Sequence, residues 1–152
     1  MSMLYCMECK EFVPVWDEHP CPSNYYAAVD KEMTGIVDRL YRMGIKPMIA
    51  VCSAIELGDT KDFEYMLTLK IDIGRRISEA LLGKLPEGWK YIWETVSADR
   101  TPLHMIAYVE RWYNMGFETL EERVDELIKE FEEFLDTKDC EAIKAMLLLM
   151  ED

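Results

Sequence analysis

NYYAAVDKEMTGIVDRLYRMGIKPMIAVC, residues 24–52, is the stretch on which the fold turns. Residues 24–29 (NYYAAV) predict a short strand. Asp30 reads as the N-cap of a helix running to about Met43. Its apolar positions Met33, Ile36, Val37, Leu40 and Tyr41 recur at i, i+3, i+4, i+7 and i+8, so they share one face, and Gly44 stands where a C-terminal glycine belongs. Residues 45–52 (IKPMIAVC) end in a continuous apolar run, the pattern of a buried strand, and Pro47 places the beginning of that strand at a sheet edge. The reading is strand, helix, strand.

Working outward, residues 53–62 (SAIELGDTKD) read as a loop, and residues 63–71 alternate through Phe63, Tyr65, Leu67, Leu69 and Ile71 as a half-buried strand. Residues 73–85 predict a second helix with Ile73, Ile77, Ala80, Leu81 and Leu85 inward, closed by a Pro86-Glu87-Gly88 turn. Residues 91–97 and 103–109 are two further strands joined through residues 98–102. Thr119 with Glu122 forms a capping box, and Leu120, Val124, Leu127, Ile128, Phe131, Phe134 and Leu135 then make one apolar stripe. A break near Asp136-Thr137 precedes a final helix through Met150. The order β-α-β-β-α-β with added elements implies an α+β fold, an antiparallel sheet covered by helices. It is compatible with a ferredoxin-like core and with other α/β sandwiches. One domain over residues 1–152 is expected: a Cys- and Pro-bearing segment (1–23), an α+β core (24–117) and acidic C-terminal helices (118–152).

The 152 residues are half apolar or aromatic, too many for a disordered chain, and no apolar run is long enough to span a bilayer. MSMLYCMECKEF has no basic region followed by an apolar stretch, so no secretory signal is expected and the cytoplasm is the expected compartment. The net charge is −13, and it is uneven: residues 118–152 hold 13 acidic and 4 basic side chains. Such a surface repels phosphates, which argues against direct nucleic-acid or anionic-membrane binding and for a basic protein partner. The competing reading is a solvated helix face. If it is an interface, its residues are Glu121, Glu122, Asp125, Glu126, Glu130, Glu132, Glu133 and Asp136. The last apolar run, AIKAMLLLM from Ala142 to Met150, needs burial on more than one face, in its own core or against another copy in a homodimer.

Cys6, Cys9, His19 and Cys21 follow the spacing C-x2-C-x9-H-x-C. Thiolate and imidazole are the donors tetrahedral zinc favours, and a metal would order an otherwise irregular, Pro-rich segment, since binding energy becomes folding energy. Against this, a zinc ribbon usually brings a second C-x2-C, where this chain has His-Pro-Cys. Unliganded thiols in a reducing compartment are the alternative; a thioredoxin-like role is weaker, because this C-x2-C does not open a helix after a strand. A closed four-ligand zinc site would be structural.

Signals for catalysis are sparse. Residues 52–56 (CSAIE) follow an apolar strand, but Cys52 reads as a core thiol and only His19 and His104 could serve as its base. His104 itself reads as a structural histidine. GRRISEALLGK does not match a phosphate loop, and neither H-E-x-x-H nor G-x-S-x-G occurs. Arg75 and Arg76, behind Gly74 at the start of the expected second helix, could hold an anionic nucleotide or merely offset local acidic groups. The aromatics Trp16, Tyr25, Tyr26, Trp89, Trp93, Trp112 and Tyr113 could stack a base or pack a core.

Within residues 21–56, Cys-Pro-Ser-Asn (21–24), the acidic helix start at Asp30, Leu40-Tyr41-Arg42-Met43-Gly44 and the strand end Cys52-Ser53 resemble small uncharacterised phage and prophage proteins of Gram-positive bacteria. Those relatives continue Gly-His where this chain has Ala54-Ile55. The resemblance implies a phage-like origin, and with it a place in the host cytoplasm, but no established activity. The expectation is a non-enzymatic acidic binding or inhibitor protein acting on a nucleic-acid-binding or defence enzyme. An anionic-nucleotide sequestering protein is the alternative, and a small enzyme of unknown class comes third.

Overall fold

The computed structural model describes residues 3–14, 19–22, 25–57, 64–74, 77–94, 103–113 and 117–150. The fold is α+β: among the described residues, a mostly antiparallel sheet of seven strands with three α-helices. In chain order the elements are β1 (Met3–Cys6), β2 (Glu11–Phe12), β3 (Tyr26–Val29), α1 (Thr34–Arg42), β4 (Ile49–Leu57), β5 (Glu64–Asp72), β6 (Trp89–Glu94), β7 (Leu103–Tyr113), α2 (Phe117–Asp136) and α3 (Cys140–Met150). The strand order is β2-β1-β3-β4-β5-β7-β6, with β3 and β4 parallel and every other pair antiparallel.

The parallel pair is the product of the strand-helix-strand segment, since parallel neighbours need a crossover and α1 supplies it. Ile36, Val37 and Leu40 of α1 are fully buried, as the periodicity requires. Its C-terminal end is a Schellman turn: Gly44 takes φ +91, its N–H donates to the Tyr41 carbonyl at 2.9 Å, and Ile45 N–H donates to the Leu40 carbonyl at 2.9 Å. The start differs from expectation. Asp30 makes no side-chain cap; a 3-10 turn, Lys31–Met33, leads into α1. The Asp30 carboxylate instead accepts the Cys52 N–H at 2.8 Å, tying the helix entry to β4.

Three strand boundaries also move. Residues 45–48, with buried Pro47, precede β4, which lies between β3 and β5 and not at an edge. Residues 53–57, expected in a loop, extend β4, pairing with β5 from Ile49↔Asp72 to Leu57↔Glu64. β7 likewise runs on to Tyr113. Along β5 the alternation holds, with Leu67, Leu69 and Ile71 fully buried on the helix-covered face. Phe63 lies outside the described residues, as do residues 98–102.

The second helix expected over residues 73–85 is, among the described residues, one 3-10 turn, Glu79–Leu81. Gly74 and Gly83 both take left-handed φ values of +71 and +73, which a continuous helix cannot hold, and Ser78 Oγ accepts the Ala80 N–H at 3.1 Å to start the turn. Ile73, Ile77, Leu81 and Leu85 are buried all the same, by a wrapped chain, while Ala80 is exposed.

α2 lays its stripe on the sheet, with Leu120, Leu127, Ile128, Phe131 and Leu135 buried and Val124 and Phe134 half-buried against them. Phe131 packs 4.4 Å from the Trp89 ring, centroid to centroid. Thr119 is not the N-cap; the helix has already begun at Phe117, so Glu121 and Glu122 fall in its first turns, where the helix dipole favours carboxylates. α3 is capped by Asp139, whose Oδ1 accepts the N–H groups of Glu141 and Ala142 at 3.1 Å each. It buries Ile143 and Leu147, and leaves Leu148 and Leu149 exposed at 69% and 87%. No helix among the described residues is long and apolar enough to cross a membrane.

Candidate metal centre

β1 and β2 form a hairpin whose turn carries Cys9, with Cys6 as the last residue of β1. The turn is tight. Lys10 adopts a left-handed φ of +58 and its N–H donates to the Cys6 carbonyl at 2.8 Å. The Cys9 N–H meanwhile points at Cys6 Sγ, 3.5 Å away. Backbone donors aimed at sulfur stabilise negative charge there, which is the state a metal-binding thiol must reach.

The other half of the cluster comes from residues 19–22. The Tyr26 hydroxyl donates to the Cys21 carbonyl at 3.0 Å, and the Tyr26 ring packs 5.7 Å from that of His19. These contacts hang the segment on β3, beside the hairpin. Cys9 Sγ and Cys21 Sγ are 3.6 Å apart, and one ligand atom from each of Cys6, Cys9, His19 and Cys21 lies within 4.8 Å of all the others. Thiolates about 2.3 Å from a tetrahedral zinc stand about 3.8 Å apart, so the sulfur separation suits a shared ion. His19 Nε2 is buried without a hydrogen-bond partner among the described residues, while Glu11 lies 3.8 Å from Nδ1. An imidazole with one orphaned nitrogen and a carboxylate beside the other is arranged as a metal ligand with an orienting neighbour. Crowding acts the other way on protons: the Cys9 thiol is pushed up to about 12, first by its hydrogen bond with Cys21. The four residues picked from spacing are thus brought together, in a cluster that could hold a metal such as zinc.

The other candidates are dispersed. Arg75, Arg76 and Trp16 lie outside the described residues. His104 pairs with Trp93 across β7 and β6 through its backbone; its side chain lies outside the described residues. Cys52 is half-buried on β4, and its thiol is pushed up to about 12 by burial, then by the negative charges of Glu32 and Asp30. A thiol held protonated in this way is a poor nucleophile at neutral pH.

The acidic residues of α2 divide in two. Glu132 and Asp136 turn toward α1, where Arg39 meets them at 3.4 and 2.9 Å, and Glu126 pairs with Arg123 at 3.2 Å. Glu121, Glu122, Asp125, Glu130 and Glu133 are exposed. Sequence reading missed the arginines that sort them: Arg123 also donates to Glu110 at 3.0 Å and to the Tyr108 hydroxyl at 3.0 Å, locking α2 to β7. It also missed Glu32, which the fold sets beside Cys52 (Sγ to Oε2, 3.9 Å). Nothing local in the chain signals either contact. Compared with protein-family models, curated proteins and solved structures, the chain matches none.

Proposed function

We propose that this chain is a non-enzymatic binding protein, stapled at its N-terminal end by a structural zinc ion and engaging a basic protein partner through the outward carboxylates of α2. The observation that carries the zinc reading is the convergence of three thiols and an imidazole within 4.8 Å. Four protein ligands would fill the shell of a bound zinc and leave no open position for substrate, so the ion would order the chain and supply no reaction. Metal analysis of protein purified without chelator should give about one zinc per chain, lost in Cys9→Ser and kept in Cys140→Ser. A folded, metal-free protein rejects the assignment.

Support for the partner is the exposure of Glu121, Glu122, Asp125, Glu130 and Glu133 on the part of α2 outside its buried stripe. Anchored by Arg39 and Arg123, the helix presents these carboxylates as a fixed array. Such an array competes for grooves built to hold phosphates, and the resemblance of residues 21–56 to phage proteins directs the search to host nucleic-acid or defence enzymes in the cytoplasm. Binding should weaken steeply with salt and be lost on Glu130→Lys/Glu133→Lys reversal; an affinity indifferent to both sinks the reading. Self-association through the exposed apolar side of α3 is a second contact surface, supported by Leu148 and Leu149.

A further inference from the structure

Between β4 and the first turns of α2 lies a cleft of about 350 Å³. Its floor is apolar: Leu67 of β5 and Leu120 of α2 are buried, Val124 and Cys52 half-buried. Its rim carries Glu32, Glu121 and Asp125, all exposed, and among the described residues no lysine or arginine lines it. The carboxylates of Glu126, Glu132 and Asp136 on α2 have arginine partners; among the described residues Glu121 and Asp125 of α2, and Glu32 of the turn before α1, have none. Carboxylates of α2 and of the turn before α1 that lack an arginine are therefore gathered around an apolar hole.

We infer that this cleft anchors the basic partner by taking one lysine or arginine side chain, with the aliphatic stem against Leu67, Leu120 and Val124 and the cationic head among Glu32, Glu121 and Asp125. The chemistry selects this occupant. An anion would face three carboxylates, and a neutral apolar ligand would strip water from them with nothing in exchange. A long cationic side chain satisfies floor and rim together, because its stem is apolar and its head charged. Glu122, Glu130 and Glu133 lie along the same helix beyond the cleft, so a chain carrying further basic residues gains contacts that a free amine does not.

The inference rests on the reading of α2 as a surface for a basic partner, and the experiment separates the two. The zinc-loaded full chain is titrated, with backbone amide NMR, against hexalysine and against an equally charged oligomer whose side-chain stems are two methylenes shorter. Hexalysine should bind saturably and move the amides of Cys52, Ala54 and Val124, and the short-stemmed oligomer should bind roughly tenfold more weakly, because its heads cannot reach the rim with the stem seated. Ala54→Arg, which sets a cation in the cleft from exposed Ala54 on β4, should weaken hexalysine roughly tenfold, against a severalfold loss for Glu130→Lys/Glu133→Lys. Should Ala54→Arg misfold, Glu32→Gln/Asp125→Asn, two exposed positions, supplies the same comparison. Equal binding of both oligomers, or binding untouched by the cleft variants yet lost in Glu130→Lys/Glu133→Lys, overturns the anchor and leaves the acidic-surface reading standing. Binding untouched by every variant removes both.

Discussion

Cys52 and the four clustered side chains show how differently single residues disclose themselves. Cys6, Cys9, His19 and Cys21 were legible because their chemistry is rare and their spacing short, so few backbone paths keep them apart. Glu32 was not legible, since its role comes from β4 passing beside the turn before α1, a contact that no local pattern encodes. The consequence for Cys52 can be measured. With the thiol held up to about 12 by burial and the carboxylates of Glu32 and Asp30, its thiolate is scarce at pH 8. Alkylation of Cys52, followed by peptide mass analysis, should therefore keep accelerating as pH rises past 9, where an ordinary thiol levels off. Glu32→Gln removes the nearer exposed charge and should speed the reaction severalfold at pH 8, the direction expected when a repelling anion is lost. A Cys52 that levels off near pH 9 in the native chain would show that the carboxylates are not felt.

Helices and strands were read from periodicity, and periodicity failed where burial was achieved without the element it suggests. Ile73, Ile77, Leu81 and Leu85 are spaced as a helix stripe and are all buried, yet left-handed Gly74 and Gly83 turn the chain so that a wrapped segment does the covering. The end of β4 at residues 53–57 was likewise concealed, because pairing with β5 is a property of the partner strand. α2 was the clearest element, having a stripe long enough to outweigh a misplaced N-cap. α3 is mixed: it docks Ile143 and Leu147 and exposes Leu148 and Leu149, so one side has a place in this fold and the other has none. Sedimentation should accordingly show self-association that grows with concentration and disappears in Leu148→Glu/Leu149→Glu. Both positions are exposed, so the double variant should keep its thermal stability within about 1 kcal/mol. A wild-type chain that sediments as one monomer throughout would remove this contact surface.

At the scale of the molecule, the cluster and the acidic helix belong to different parts of one sheet. The thiols and His19 sit at the β1–β2 edge, while α2 packs across α1 and reaches β7 through Arg123. Met7 of the hairpin turn joins the core, but most of the core lies elsewhere: Leu67, Leu69 and Ile71 of β5 and Ile106 of β7 are fully buried far along the strand order from β2, as is Phe131 of α2. Zinc removal should then loosen one end of the molecule and spare the other. Hydrogen exchange before and after chelation should show protection lost at Cys9 and Lys10, whose amides face Cys6, and at Met7, whose amide donates to the Tyr25 carbonyl at 2.9 Å. Amides of β5, β7 and α2 should exchange at unchanged rates, and the acidic surface should bind its basic probe as before. Global unfolding on chelation would instead make the ion a requirement of the whole fold, as in domains too small to hold a core without metal. With 152 residues and a buried face spanning three helices, the local outcome is the one the packing supports.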